Sequence, residues 1–213
     1  MPLNPGYKAE NHYDVIIVGG GPAGLFCAYY LAEYSNLSVL LIEKGKYAQK
    51  RYCPISNSSE CCHCRPCNIL SGIGGAGLFS DGKLNYIYKL GKTDLTQFMD
   101  KKSAEQLISE TETIFNNFNM DGQVFPSNMQ KARKWRKNAR KYGIELLLIK
   151  QKHLGSEALP EHIQEMADYI QDKGVVFHCK EEVLDILVES GQIKGVQTEN
   201  GNYYAPRVVL APD

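Results

Sequence analysis

Apolar and polar positions divide the chain into segments with different periods. Tyr13-Asp-Val-Ile-Ile-Val18 and Ser38-Val-Leu-Leu-Ile42 are short, nearly unbroken β-branched and leucine runs, the pattern of strands buried on both faces of a parallel sheet. Between them, Gly19-Gly-Gly-Pro-Ala-Gly24 interrupts the run and Leu25–Tyr34 has helical character, so residues 13–42 read as a βαβ unit with a right-handed crossover. A helix is predicted over Glu157–Asp172, stopped by Lys173-Gly174, with a short strand over Val175–His178. Val183–Val188, Ile193–Thr198 and Tyr203-Tyr204, separated by Ser190-Gly191 and Asn200-Gly201, predict a three-stranded antiparallel meander. Val208–Ala211 is a last buried strand. In the middle, apolar residues from Leu95 to Phe118 predict one or two amphipathic helices, and Ala132, Trp135, Ala139 and Tyr142 stripe another. Residues 1–12 read as a mobile leader, and no internal repeat is visible.

Composition narrows the class. The 213 residues suit one large domain or one and a half, and 43% apolar with 23% charged residues is ordinary for a globular protein. Lys plus Arg equals Asp plus Glu at 24 each, which leaves no basic excess for a general nucleic-acid binder. No apolar run approaches membrane length, so a cytoplasmic protein without a membrane partner is expected. In a reducing compartment the seven cysteines read as metal ligands or redox groups rather than structural disulfides.

Gly19, Gly21 and Gly24 fit G-x-G-x-x-G. The first glycine permits the turn out of the strand, the second bares the backbone to a pyrophosphate, and the third lets helix and sheet pack closely. Gly20, Pro22 and Ala23 complete the turn, and the helix N-terminus offers unpaired N–H groups to the anion. Glu43, at the end of the second strand and followed by Lys44, is placed to accept bonds from both ribose hydroxyls and would repel a 2′-phosphate. A dinucleotide site is therefore expected, with NADP disfavoured in it.

Cys53, Cys61, Cys64 and Cys67 are spaced C-x7-C-x2-C-x2-C. Two successive C-x2-C steps with a distant fourth thiol suit a [4Fe-4S] cluster, four thiolates also suit zinc, and Cys62 with Cys67 could form a redox dithiol; unrelated thiols remain the plain alternative. Cys27 and Cys179 read as buried fillers. In the next segment Gly72, Gly74, Gly75 and Gly77, with Ala76, leave backbone bare for a flat ring system, while Ser80, Asp81 and Lys83 supply polar groups at its edge. Lys83 is a candidate cation and His153 a candidate proton donor. The basic run Lys131–Lys141 reads first as a solvated helix face.

The helix, strand, meander and buried strand resemble the FAD domain of glutathione-reductase-like and p-hydroxybenzoate-hydroxylase-like flavoproteins. That resemblance implies FAD, an adenine contact through the backbone of Val183, and passage of the strand ending at Ala211 beneath the pyrophosphate. The glycine turn, the cysteine run, Asn-Ile-Leu-Ser-Gly-Ile-Gly-Gly-Ala-Gly-Leu-Phe-Ser-Asp-Gly-Lys83 and Lys-His-Leu-Gly-Ser-Glu157 resemble more narrowly a family of uncharacterised bacterial FAD-dependent dehydrogenases. This chain differs from that family at Ile73, where an aromatic residue is usual, and in Lys152-His153 and Ser156-Glu157, where Arg-His and Thr-Asp are usual. Family members are longer, continuing past Ala211-Pro212 with a glycine where Asp213 stands, so the resemblance implies a fragment.

The expected class is α/β. A Rossmann-like FAD-binding domain (parallel sheet plus antiparallel meander) would span 1–83 and 155–213, incomplete at its C-terminal end, around an inserted, mainly helical part of a substrate domain at 84–154. The expected function is hydride or electron transfer between a small-molecule substrate and FAD, with an electron-transfer partner or NAD(P)H as acceptor or donor and the four-cysteine centre as a relay. The alternatives are a flavin–dithiol reductase using Cys62 and Cys67, and a truncated nucleotide-binding fragment without catalysis.

Overall fold

The computed structural model describes residues 11–56 and 60–212, so most of the leader and Asp213 lie outside the described residues. The chain forms two compact units: one runs through Phe79 and resumes at Ile163, and the other is Ser80–His162.

The first unit opens with β1 (Val15–Val18), α1 (Pro22–Tyr34) and β2 (Val39–Glu43). All five residues of β2 are buried, as a strand covered on both faces demands. Further along the chain, α4 (Leu159–Asp172) leads to β8 (Val176–Cys179), the meander β9 (Val183–Glu189), β10 (Gln192–Thr198) and β11 (Gly201–Tyr204), and then β12 (Val208–Leu210). A four-stranded parallel sheet has the order β12-β1-β2-β8. Its register sets Val18 beside both Ile42 and Leu210, so three strand ends open at one edge. Ile16, Leu40 and Ile42 pack with Val196, Tyr203 and Ala205, which seats the meander on one face of the sheet. Alternation turns Ile17 to the other face, against α1 at Gly24. The β9–β10 turn forms at Ser190 and Gly191, whose φ values of +49° and +74° are those of a primed hairpin turn.

The second unit contains β3 (Lys83–Tyr86), the two-residue strands β4 (Lys89–Leu90) and β5 (Thr93–Asp94), α2 (Lys101–Asn116), β6 (Val124–Phe125), α3 (Met129–Arg140) and β7 (Lys150–His153). Beside the helices expected there, the unit carries strands that were not expected: β3, β7 and β6 pair as an antiparallel sheet. The sequence of β7, Lys-Gln-Lys-His, carries no apolar alternation that could announce it. Its inward residue is Lys152, 3% exposed, whose ammonium hydrogen-bonds Asn116 and lies 3.3 Å from Glu112.

The stripe predicted on α3 is also corrected. The helix forms, with the Asn128 side chain accepting from the Lys131 N–H at its start, but it buries none of its residues and Trp135 is 62% exposed. Of the predicted stripe, Ala132 and Ala139 are half-buried while Trp135 and Tyr142 are exposed.

Candidate functional site

The turn from β1 into α1 is shaped by close backbone approach. Gly19 has φ +107°, and a Cβ there would lie 2.2 Å from the Ala211 carbonyl oxygen; one on Gly24 would lie 1.9 Å from the Gly19 carbonyl oxygen. Gly19 donates to the Ile42 carbonyl at 2.8 Å, tying the turn to the end of β2. Helix α1 starts with Gly21 as its N-cap and Pro22 in its first turn, has no side-chain cap and carries no acid in that turn. The partial positive charge of this N-terminus is thus not neutralised from within the helix.

Glu43 is 5% exposed, and its carboxylate accepts from the Gly20 N–H and the Gly45 N–H, each at 2.7 Å. Two of about four lone-pair positions are used this way. A cavity of about 160 Å³ lies over the sheet edge, and Gly19, Gly21, Glu43, Lys44, Val183 and Ala211 are in its wall. Six positions chosen from sequence therefore meet at one cavity, where the ends of β1, β2 and β12 and the start of the meander come together. Glu182 is in the same wall and was not foreseen. Below it, Glu181 accepts from Thr198 Oγ1 at 2.5 Å and lies 3.1 Å from His178 Nδ1. His178 Nδ1 in turn lies 3.0 Å from the Tyr203 hydroxyl. Burial, then the bond to Glu181, pushes the Tyr203 hydroxyl up to about 12.

The glycine loop is stitched to this turn, Gly74 donating to the Gly20 carbonyl at 2.8 Å and Ile73 to the Lys46 carbonyl at 2.9 Å. Arg51 holds it from the inside. This side chain is 7% exposed and donates through Nε to Asn68 O at 3.0 Å, through Nη2 to Ile69 O at 2.7 Å, and through Nη1 to Ile73 O at 2.9 Å, Gly75 O at 2.7 Å and, longer, Gly72 O at 3.4 Å. Its guanidinium also lies 5.1 Å from the centre of the Phe79 ring. Sequence reasoning missed Arg51. No pattern in the sequence marks it, since a lone arginine after the second strand reads as a surface cation. Ala76 and Gly77 lie in the 3-10 turn Ala76–Phe79 that follows.

Ser80, Asp81, Lys83 and His153 all belong to the second unit. Lys83 Nζ lies 2.6 Å from Asp81 Oδ2, and His153 Nε2 lies 3.0 Å from the Asp81 carbonyl oxygen. Lys83 and His153 are paired across β3 and β7, so the three candidate catalytic residues form one exposed group at a strand end. The Lys83 ammonium, first by its hydrogen bond and then by its charge, holds the Asp81 carboxyl below its ordinary range. Ser80 Oγ accepts from the Gly82 N–H at 3.3 Å.

Among the described residues no three His, Cys, Asp or Glu side chains converge to hold a metal ion. The thiols expected as ligands at Cys53, Cys61, Cys64 and Cys67 are likewise not gathered among the described residues; Cys61 is exposed, and its sulfur accepts from the His63 N–H at 3.4 Å. Backbone N–H groups of Leu70 and Ile69, then the Arg51 charge, hold the Cys67 thiol below its ordinary value. Cys179 is pushed up to about 12, by burial first and the Glu43 charge second, as suits a structural thiol.

Residues 14–51 match the family model described as FAD dependent oxidoreductase, the stretch that holds β1, the glycine turn, α1, β2 and Glu43. This segment is similar to that of the FAD-dependent oxidoreductases. Thioredoxin reductase of Bacillus subtilis is 56% identical over 36 residues, which are 17% of this chain and 11% of that protein. Among solved structures, L-amino acid deaminase from Proteus vulgaris superposes with a TM-score of 0.55 at 17% identity, over 97% of this chain and 49% of that one. Glycine oxidase from Bacillus cereus gives 0.53 at 18% identity, over 94% of this chain and 55% of that one. These likenesses show the fold. The chain spans about half the length of the solved structures it resembles. No described helix is long and apolar enough to cross a membrane.

Proposed function

We propose that this chain is the FAD-binding part of a flavin-dependent oxidoreductase that passes hydride or electrons between a small-molecule substrate and FAD. The observation that carries the reading is the single cavity bounded by Gly19, Gly21, Glu43, Lys44, Val183 and Ala211, fed by a helix N-terminus with no cap of its own. The family match over residues 14–51 supports FAD as the nucleotide.

In this reading the N–H groups of Ala23 and Gly24, just after Pro22 at the start of α1, bind the pyrophosphate. Glu43 uses its remaining lone pairs on the ribose, and the Val183 backbone lies along the adenine. The loop Gly74–Gly77 offers bare backbone to the isoalloxazine. FAD, when bound, supplies the hydride-accepting ring. Asp81, Lys83 and His153, with Ser80, form a polar group suited to orient an anionic substrate and to hold a proton at His153 Nε2. An electron-transfer partner or NAD(P)H completes the cycle, in the cytoplasm. The steps assigned here use the flavin and this polar group, without a relay through Cys53, Cys61, Cys64 and Cys67, whose thiols are not gathered among the described residues.

Titration of the purified chain with FAD, NAD and NADP, followed by flavin and protein fluorescence, tests the assignment. Saturable binding of FAD in preference to both nicotinamide nucleotides, weakened at least tenfold by Glu43→Ala, is expected. A folded chain that binds none of them, or binds NADP best, would overturn it.

A further inference from the structure

A second cavity of about 1150 Å³ opens in the first unit, and Cys64 and Cys67 are both in its wall. Each is half-buried, while Cys61 and Cys62 are exposed and stand outside that wall. The basic side chains Lys44, Lys46, Arg65 and Lys180 line it against only two acids, Glu182 and Glu199. The wall therefore carries two positive charges in excess around two sulfurs spaced C-x2-C, close enough in the chain to be joined after a local movement. The Cys67 end is anchored: Arg51 binds the carbonyls of Asn68 and Ile69, and the Asn68 side chain donates to Tyr52 O at 2.9 Å. The Cys64 end belongs to residues 61–64, which have no regular structure. One fixed and one adaptable thiol at a common opening is a dithiol arrangement. The two cysteines that share this wall are Cys64 and Cys67, whereas Cys62, of the Cys62 and Cys67 pair suggested by spacing, stands outside it.

We propose that Cys64 and Cys67 form a thiol–disulfide exchange site for a small anionic disulfide. One cysteine sulfur attacks a sulfur of the external disulfide; the external S–S bond breaks and one thiol leaves with its proton. The other cysteine sulfur then attacks the mixed disulfide, forming the Cys64–Cys67 bond and releasing the second thiol. Two protein thiols are oxidised and one external disulfide is reduced to two thiols, so atoms and electrons balance. The basic wall selects for acidic groups on the external disulfide by raising its local concentration.

The test uses the full chain, reduced, desalted without oxygen, and exposed to glutathione disulfide. Release of two glutathione thiols per cross-link formed is expected, with the new cross-link mapped by mass spectrometry to the Cys64–Cys67 peptide. Cys64→Ser should stop at a glutathione adduct on Cys67, and Cys67→Ser at an adduct on Cys64, while Cys61→Ser and Cys62→Ser still form the cross-link. Glutathione disulfide should react on the order of tenfold faster than neutral hydroxyethyl disulfide, and Lys46→Gln with Lys180→Gln should bring the two rates together. A cross-link in another pair, equal rates for the two disulfides in the parent chain, or zinc or iron held stoichiometrically by the four thiols would overturn the proposal. None of these readouts uses flavin, so the exchange site and the FAD reading fail or survive separately.

Discussion

Arg51→Met is the sharpest test of how the glycine loop is held. The guanidinium binds Asn68, Ile69, Ile73 and Gly75 carbonyls at 2.7–3.0 Å from a 7% exposed position, and methionine keeps most of the volume while removing every donor. A hydrogen bond from a charged group contributes about 1.5–3 kcal/mol net, so four would sum to far more than the cost of burying one cation. The bonds are not additive, and the loop relaxes or admits water in part, so leaving these buried carbonyls without their donor should cost about 3–5 kcal/mol in all. For a chain of this size that corresponds to a fall in Tm on the order of 10 °C. Arg51→Lys restores the charge but presents its donors from one point rather than a planar fork, so it should recover less than half of the loss. Thermal melts of the three proteins give the magnitude, and amide exchange at residues 72–75 gives the location. A methionine variant melting within about 2 °C of the parent, with protected loop amides, would refute the reasoning.

Three further outcomes follow from other parts of the molecule. Gly24→Ala forces a Cβ to within 1.9 Å of the Gly19 carbonyl oxygen, so the turn must move; FAD affinity should fall at least tenfold in a fluorescence titration. Burial pushes Cys179, Tyr203 and Tyr86 up to about 12, aided by the charges of Glu43, Glu181 and Glu112 respectively. The unfolded chain then loses these protons at lower pH than the folded one, so stability to urea is full below about pH 8.5 and declines as pH rises toward 12. In the second unit, Lys152→Met strands the Glu112 carboxylate next to Lys150 alone and should cost about 2 kcal/mol; adding Glu112→Gln should return part of that loss in a double-mutant cycle.

The parts of the fold visible in the sequence are those whose burial shows residue by residue. β1 and β2 are continuous apolar runs because both faces of the sheet are covered, and the meander shows itself through Ser190-Gly191, a pair that tolerates the left-handed backbone the turn needs. Of the six cavity residues, Gly19, Gly21, Glu43 and Lys44 could be chosen because each is tied to a strand end or to the glycine turn, while Val183 and Ala211 came from the resemblance to known FAD domains. β7 was not visible, because its buried member is a lysine whose acceptors, Asn116 and Glu112, come from a distant helix. The same holds for Arg51: a cation reads as surface until the carbonyls that surround it are known. The α3 stripe misled in the opposite sense, since helical spacing of apolar residues says nothing about whether another element covers them.

The loop glycines can now be separated by what requires each of them. Gly72, Gly74 and Gly75 have φ values of +124°, +91° and +59°, and a Cβ on Gly72 would lie 2.6 Å from Arg51 Cδ, so backbone conformation and the buried cation already account for glycine there. Gly77 is different. Its φ lies outside the left-handed region, and a Cβ added there meets nothing within 4 Å. Nothing in the protein itself asks for a bare backbone at Gly77, so if the loop faces a flat ring, this is the position whose bareness serves the ligand. Gly77→Val should leave the melting temperature of the flavin-free chain within about 2 °C, yet weaken FAD binding severalfold. Unchanged FAD affinity in a valine variant of normal stability would mean that this part of the loop does not approach the flavin, and the ring would have to be sought against another surface.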